Sequence, residues 1–209
     1  MDEIERMVDE NTEEIILCSN GCGYQNRNAI LANALLHTAV KSNVKITQKF
    51  FVKGHTPMEE DSVNSAIEKQ LRASTIYSPA GYIERFKRAR SDYPYAVRYR
   101  THTFAKDYAK FRYYDSIRPG KRAGDPVVTD IRVLRHLPVG VVEYKLDFDD
   151  EFQELPRPRN APTANSTDIV SQLQTGPNPI KQTKYDDLQY LKRYIPQDYH
   201  LFYDNLMHT

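Results

Sequence analysis

The sequence predicts an α/β fold, and three features of residues 15–72 carry that prediction. A short apolar run ends in a turn rich in Gly and Asn, and a helix-like segment follows it. A second apolar run comes next. A Gly-His-Thr-Pro turn then separates that run from another helix-like segment. The order strand, helix, strand, helix is typical of a parallel sheet, in which polar groups gather where the strands end.

Composition narrows the classes of function. The 209 residues include 29 basic and 28 acidic side chains, so the net charge of +1 indicates no class of partner. The apolar runs are far shorter than the roughly 20 residues that cross a bilayer, so we expect no membrane partner. The acidic N-terminus has no apolar signal region, which predicts an intracellular protein. Cys18 and Cys22 have no second pair, which favours reduced thiols over a zinc site.

A short helix and a strand are predicted before the first turn. Residues 1–14 are acidic, and Ile4, Met7 and Val8 recur at helical spacing. Residues 14–18 form an apolar run that predicts a buried strand. The chain is therefore expected to enter the sheet directly from this N-terminal helix.

A helix, a strand and a second helix follow. Residues 25–40 have the apolar spacing of an amphipathic helix, and His37 near its end is expected to be a C-terminal-turn or core residue rather than a ligand. Residues 44–52 predict a strand in which apolar and polar residues alternate. Thr56 as an N-cap, with Pro57 at the first helical position, predicts the start of the next helix.

Residues 72–122 are basic and rich in aromatic residues. They contain 13 basic and four acidic residues, a net charge of +9, interleaved with 11 Tyr and Phe residues. Such a mixture binds phosphates and stacks bases. The alternative is a small Tyr-rich core with a solvated basic rim. The candidate nucleic-acid-binding residues here are Arg85, Lys87, Arg88, Arg90, Arg98, Arg100, Arg112, Arg118, Lys121 and Arg122.

The rest of the chain predicts a hairpin, a linker and two helices. Residues 127–146 contain two apolar runs around a Pro-Val-Gly turn, which indicates a β-hairpin. Five of the 12 prolines fall in residues 155–181, which predicts disorder. The predicted divisions are an acidic helix at 1–14, an α/β half at 15–75, a basic α+β extension at 76–154, a disordered linker at 155–182 and a helical pair at 183–209.

Two motifs carry a family resemblance. Residues 19–28 read SNGCGYQNRN, and residues 54–61 read GHTPMEED. They resemble a transposase-derived family with a ribonuclease-H-like, or retroviral-integrase-like, domain that is often classified only as a domain of unknown function. Its first motif reads Ser-Asp-x-Cys-x-x-Gln-Asn-x-Asn. Its second is Gly-His-Ser/Thr, with an acid six residues beyond the His.

The resemblance implies a partial ribonuclease-H-like layer and a two-metal site for phosphodiester hydrolysis or strand transfer. Its cofactor would be Mg²⁺ or Mn²⁺. The implied catalytic positions are Asn20, His55 and Asp61, with Asp61 as the metal ligand. Beside them, the candidate nucleic-acid-binding residues are Gln25, Asn26, Arg27 and Asn28. The alternative is that these four cap the helix and its turn.

The chain departs from the family pattern at position 20, where a neutral Asn replaces an acid. An amide oxygen brings no charge to a cation, so metal affinity should fall. The chain also begins just before what would be the fourth strand of such a fold, so its first strands and first catalytic Asp are expected to be missing.

We therefore expect a truncated, inactive remnant that binds DNA, or alternatively RNA, in the nucleus rather than the cytoplasm. Two alternatives stay open. The first is a fragment of an active metal-dependent transposase or nuclease. The second is a protein-interaction module with no nucleic-acid role. An exposed sheet edge would favour a protein partner or self-association.

Overall fold

The computed structural model describes residues 1–22, 25–51, 59–72, 74–165 and 167–209. The chain divides into two compact units. The first comprises Met1–Thr56 and Asp107–Ser171, and the second comprises Pro57–Lys106 and Gln172–Thr209. The division differs from the predicted domains, because the basic segment 72–122 is shared between the two units.

The described residues contain helices and strands in mixed order. The α-helices are α1 (Asp2–Met7), α2 (Ala29–Ser42), α3 (Glu59–Arg72), α4 (Pro79–Arg88), α5 (Gln182–Leu191) and α6 (His200–Asp204). The strands are β1 (Glu14–Asn20), β2 (Lys45–Phe51), β3 (Val133–His136), β4 (Val142–Lys145) and β5 (Gln153–Glu154). The predicted α/β class is confirmed.

One five-stranded sheet organises the first unit, in the order β1-β2-β3-β4-β5. β1 and β2 are parallel and are joined by α2, while the remaining neighbours are antiparallel. The predicted hairpin forms as β3 and β4. It belongs to this sheet rather than to a separate extension, because Val133 of β3 pairs with Lys49 of β2.

The two faces of the sheet differ because successive side chains of a strand point to opposite sides. Ile46, Phe50, Leu134 and Val142 are fully buried on one face. α2 covers that face and is buried from Ala32 to Ala39 without interruption. Eight consecutive buried residues leave little room for an amphipathic pattern, so α2 is a core helix.

Residues 111–117 cover the outer side of α2 and are held there by Asn33. The Asn33 Nδ2 group donates to the backbone oxygens of Phe111 and Tyr114 over 2.8 and 2.9 Å, and its Oδ1 atom accepts from Tyr114 N over 3.0 Å. The Tyr114 hydroxyl in turn accepts from Val142 N. Tyr113 and Tyr114 are buried, so this part of the Tyr-rich stretch forms core.

The predicted disorder of residues 155–182 differs from the structure at its N-terminal end. Leu155 and Ala164 lie in the core, and Leu155 N donates to the backbone oxygen of Val142 over 2.8 Å. The Tyr113 hydroxyl donates to Asp168 Oδ2 over 2.7 Å. These few contacts hold the proline-rich segment in place. They involve single residues without a regular spacing, so a sequence pattern does not reveal them.

The second unit joins α3 and α4 to the C-terminal helices. The Tyr203 hydroxyl donates to the backbone oxygen of Tyr77. The rings of Tyr77 and Tyr199 are 5.2 Å apart. The predicted helical pair is therefore present as α5 and α6, and it packs within its own unit. Nearby, Ile180 N donates to Met207 O over 2.8 Å and ties down the C-terminus.

Candidate functional site

A polar loop follows β1 at the carboxyl ends of β1 and β2. Asn20 is the last residue of β1, and its Oδ1 atom accepts from Asn26 Nδ2 over 2.8 Å and from Cys22 N over 3.3 Å. The backbone oxygen of Asn26 accepts from Gln48 Nε2 over 3.0 Å. Hydrogen bonds therefore link the end of β1, the loop and β2.

Arg27 lies beneath this loop and is 6% exposed. Its Nη1 atom donates to the backbone oxygen of Thr129 over 2.6 Å, and its guanidinium lies 4.6 Å from the centre of the Phe50 ring. Burial lowers the pKa of Arg27 from its ordinary value. Gly21 packs closely on this side chain, because a Cβ there would lie 3.0 Å from Arg27 Nη2. Arg27 is thus held inside the fold rather than presented to solvent.

Asn28 caps α2. Its Oδ1 atom accepts from Leu31 N over 2.9 Å, and its Nδ2 group donates to the backbone oxygen of Gln25 over 3.1 Å. Gln25 itself is exposed. Asn26 and Asn28 therefore have the structural roles that the capping alternative expected. Contact of these residues with nucleic acid stays a prediction.

Further buried polar atoms lie under the same loop, and of the residues that carry them the sequence analysis named only Arg27 as a candidate site residue. Ser19 Oγ, Gln48 Oε1 and Arg27 Nε are buried without a hydrogen-bond partner within the described ranges. Ser19 pairs with Phe50 in the sheet, and Arg27 stacks on that ring. The burial of Gln48 could have been predicted from the sequence, because alternation in β2 places it on the same face as Ile46 and Phe50. Polar groups do gather where β1 and β2 end.

The remaining predicted catalytic positions are not joined to Asn20 in one described site. Asp61 is exposed in the first turn of α3, in the second unit. His55 belongs to residues 52–58, which lie outside the described residues.

The described donor set does not fit a two-metal centre at Asn20. Both lone-pair directions of the Asn20 side-chain oxygen are taken by Asn26 Nδ2 and Cys22 N. Within the ranges that the structure describes, there is no group of three or more His, Cys, Asp or Glu side chains placed to hold a metal ion.

The basic candidates fall into two groups. In the second unit, residues 77–106 contain seven basic and two acidic residues, a net charge of +5. Here the Arg90 guanidinium lies 5.4 Å from the centre of the Tyr93 ring, and that of Arg100 lies 4.3 Å from the centre of the Phe104 ring. In the first unit, the exposed candidates are Arg112, Lys121 and Arg122, and Arg118 is half-buried.

The open face of the sheet carries a groove of about 290 Å³ that is also lined by cations. Two of the four lining cations, Lys45 and Arg135, pair with acidic residues of the same face. Lys45 Nζ lies 3.5 Å from Glu14 Oε2, and Arg135 Nε donates to Glu143 Oε2 over 2.6 Å. The Arg135 guanidinium also lies 3.4 Å from the centre of the Phe152 ring. Part of the positive charge on this face is therefore paired with acidic side chains.

A second concavity lies within the second unit, and sequence analysis did not anticipate it. It encloses about 430 Å³ and is mostly apolar. Its lining residues are Ser78, Pro79, Ala80, Ile83, Tyr99, Asp198, Tyr199 and Phe202. Because three segments far apart in the chain supply these residues, a local pattern could not reveal the pocket.

Comparisons of the chain with protein-family models, with curated proteins and with solved structures found no match. Among the described residues, no helix has both the length and the apolar character needed to span a membrane. Functional conclusions therefore rest on the chain's own residues.

Proposed function

We propose that this chain is a nucleic-acid-binding protein derived from a ribonuclease-H-like transposase or integrase domain. In this proposal it binds DNA, with RNA as the alternative partner, and does not cleave it. The ancestry is supported by the two motifs at residues 19–28 and 54–61. It is also supported by the parallel β1-α2-β2 unit, in which the first motif connects β1 to α2. A DNA partner implies a nuclear location.

The observation that carries the binding function is the basic and aromatic surface of residues 77–106. Lys87, Arg88, Arg90 and Arg98 are exposed there, and Tyr93 presents most of its ring to solvent. Cations neutralise backbone phosphates, and exposed rings stack on bases. These 30 residues have a net charge of +5, whereas the whole chain has a net charge of only +1. Positive charge is therefore concentrated in this segment.

The absence of cleavage is supported by the Asn20 amide. In a two-metal site, acidic ligands bring the negative charge that holds hard cations. Asn20 is neutral, and its side-chain oxygen is already bound by two donors. We therefore assign Asn20 a structural role in closing the loop onto β2.

A protein-interaction role is the second candidate, and the edge position of β1 favours it. β1 is the first strand of the sheet and pairs with β2 on one side only among the described residues. Ile16 is exposed on this strand. Such an edge can accept a strand from another chain. Ile16→Lys should reduce concentration-dependent association in sedimentation if this edge is used, and should leave DNA affinity unchanged.

Titration of the purified chain with labelled duplex and single-stranded DNA tests the first proposal. It is done at low and high salt, with and without Mg²⁺. We expect binding that weakens with salt, does not require Mg²⁺ and leaves the DNA intact. Removing two phosphate contacts with Lys87→Gln and Arg88→Gln should lower the salt slope on single strands by about 1.4.

The matched control is Lys181→Gln with Lys184→Gln. It removes the same charge from two exposed positions in or beside α5 and should leave the slope unchanged. Binding that is insensitive to salt, or an equal loss in both double variants, would refute the proposed surface. Mg²⁺-dependent cleavage would refute the assignment as a non-cleaving protein.

A further inference from the structure

The pocket of the second unit presents aromatic rings to solvent. Tyr99 is 66% exposed, and Tyr199 and Phe202 are also exposed within the same concavity. Its volume of about 430 Å³ lies within the range of small-molecule sites, about 300–1,000 Å³. Exposed rings in one concave place offer flat apolar surfaces on which a planar group can stack.

The wall formed by Tyr199 is held in place by the fold. Its ring packs against Tyr77, whose backbone oxygen accepts from the Tyr203 hydroxyl. The adjacent His200 Nε2 atom lies 3.0 and 2.9 Å from the backbone oxygens of Lys192 and Ile195. A wall that is ordered before binding reduces the entropy lost when a ligand enters.

Positive charge is concentrated in the chain segment that forms one wall of the pocket, whereas the charged residue of the lining itself is the acidic Asp198. Arg98 and Arg100 adjoin Tyr99 in the chain; Arg98 is exposed, and the Arg100 guanidinium lies on the Phe104 ring. Residues 77–106 have a net charge of +5, whereas residues 172–209 contain four basic and four acidic residues. Positive charge therefore lies with the Tyr99 wall, and the ligand should combine a planar apolar part with negative charge.

We propose that this pocket binds one unpaired base of a single-stranded nucleic acid, with Tyr99 as the stacking ring and Arg98 and Arg100 beside the flanking phosphates. This inference rests on the nucleic-acid-binding function proposed above. To that function it adds that the nucleic acid is single-stranded and that one of its bases enters this pocket. A duplex does not fit, since its bases are already stacked and paired. Base–ring stacking of this kind tolerates any base.

Asp198 adds a preference among the bases. Asp198 is one of the lining residues, and an ionised carboxylate only accepts hydrogen bonds. The Watson–Crick edge of guanine presents two adjacent donors, an imino and an amino group. On the same edges of adenine and cytosine, the single amino donor lies next to an acceptor nitrogen, which a carboxylate repels. Guanine is therefore the base that Asp198 selects.

Fluorescence anisotropy with labelled oligothymidylates tests the pocket. One strand carries a single central guanine, a second carries adenine there, and a duplex of the same length serves for comparison. We expect the wild-type chain to bind the guanine strand more tightly than the adenine strand. Tyr99→Ala should weaken single-strand binding about tenfold while leaving duplex binding unchanged. Asp198→Asn should remove the preference for guanine.

Two further variants separate stacking from misfolding. Tyr99→Phe keeps the ring and should retain single-strand affinity. Tyr194→Ala removes a tyrosine of similar exposure, 69%, that does not line the pocket, and should change nothing. In a strand with 2-aminopurine at the central position, wild type should quench the base fluorescence by stacking, and Tyr99→Ala should not.

The outcomes distinguish this proposal from the one on which it rests. If the wild-type chain binds neither single strands nor duplex, both proposals fail. If it binds in a salt-dependent way and Tyr99→Ala behaves like Tyr194→Ala, the pocket assignment alone fails. The pocket would then suit an apolar peptide side chain.

Discussion

The side-chain amide of Asn26 donates to both oxygens of Asn20, over 2.8 Å to Oδ1 and 3.2 Å to the backbone oxygen. This pair closes the loop that leaves β1. It places a neutral hydrogen-bond network at the position where the resembled family has a carboxylate. The two asparagines therefore explain how the loop keeps its shape without a charge at position 20.

Asn20→Asp should fold and should not create a nuclease. The new carboxylate can accept from the same two donors, so we expect the free energy of unfolding to change by no more than about 1 kcal/mol. With Mg²⁺, supercoiled DNA should remain intact. Asn26→Ala is the control for the network and should lower the free energy of unfolding by about 1 kcal/mol. Cleavage by Asn20→Asp that Asp61→Ala abolishes would contradict the proposed structural role.

Arg27→Gln should reduce stability rather than DNA affinity. The variant removes the cation from the Phe50 ring and the donor from the backbone oxygen of Thr129. We expect a loss of about 2 kcal/mol in urea unfolding. The folded variant should bind DNA within twofold of wild type. A large loss of affinity at unchanged stability would show that this guanidinium contacts the nucleic acid.

Asn33→Leu should strongly destabilise the first unit. Leu has a similar volume but leaves the backbone oxygens of Phe111 and Tyr114, and the Tyr114 N–H, without partners. Each such buried group costs about 1–3 kcal/mol, so a total loss of about 3 kcal/mol or more is expected in urea unfolding. Ile30→Ala, at an exposed position of α2, should stay within about 0.5 kcal/mol of wild type. Equal effects of the two variants would rule out Asn33 as the anchor of residues 111–114.

His136 should make the chain less stable as the pH falls from 6.5 to 4. Burial lowers the pKa of His136 to about 4 from 6.5. The unfolded chain therefore binds more protons than the folded chain between these values. This contribution is fully present above pH 6.5 and is lost as the pH falls to 4, by about 3 kcal/mol in total.

The measurement for His136 is urea unfolding of wild type and His136→Gln across that range. The variant should lose less stability between pH 6.5 and 4, because other groups titrate equally in both chains. Parallel pH profiles would show that His136 takes up its proton equally in the folded and unfolded chains, which would contradict the lowered pKa. At pH 7 the variant tests only packing and the contact between His136 Nδ1 and the backbone oxygen of Ile46, which is 3.2 Å long.

The order of helices and strands was predictable because it depends on local sequence patterns. β1, α2, β2 and the β3–β4 hairpin form where apolar runs, helical spacing and turn residues predict them, with ends shifted by a few residues. The predicted helix from Gln25 begins later, at Ala29, because Asn28 caps it. The burial of His37 was also predictable, and its ring stacks on Phe111 with 4.8 Å between the ring centres.

The candidate sites were less predictable, because composition does not show which side a residue faces. Tyr113 is buried and Tyr93 is exposed, although both belong to the same basic stretch. Neither lies in a helix or strand, so no periodicity separates them. Arg27 has the residue type and motif position of a phosphate ligand, yet it lies on the Phe50 ring inside the fold.

By itself, the sequence determined the α/β class, the order of the local elements and the charge of residues 72–122. These depend on neighbours in the chain, through hydrogen bonding, capping and side-chain alternation. Only the tertiary structure decided that β3 pairs with β2 and that Tyr99 meets Tyr199 in one pocket. In both places, residues about 80 to 100 positions apart in the sequence come together. Their contact depends on complementary shape and burial across the whole unit, which no local pattern encodes.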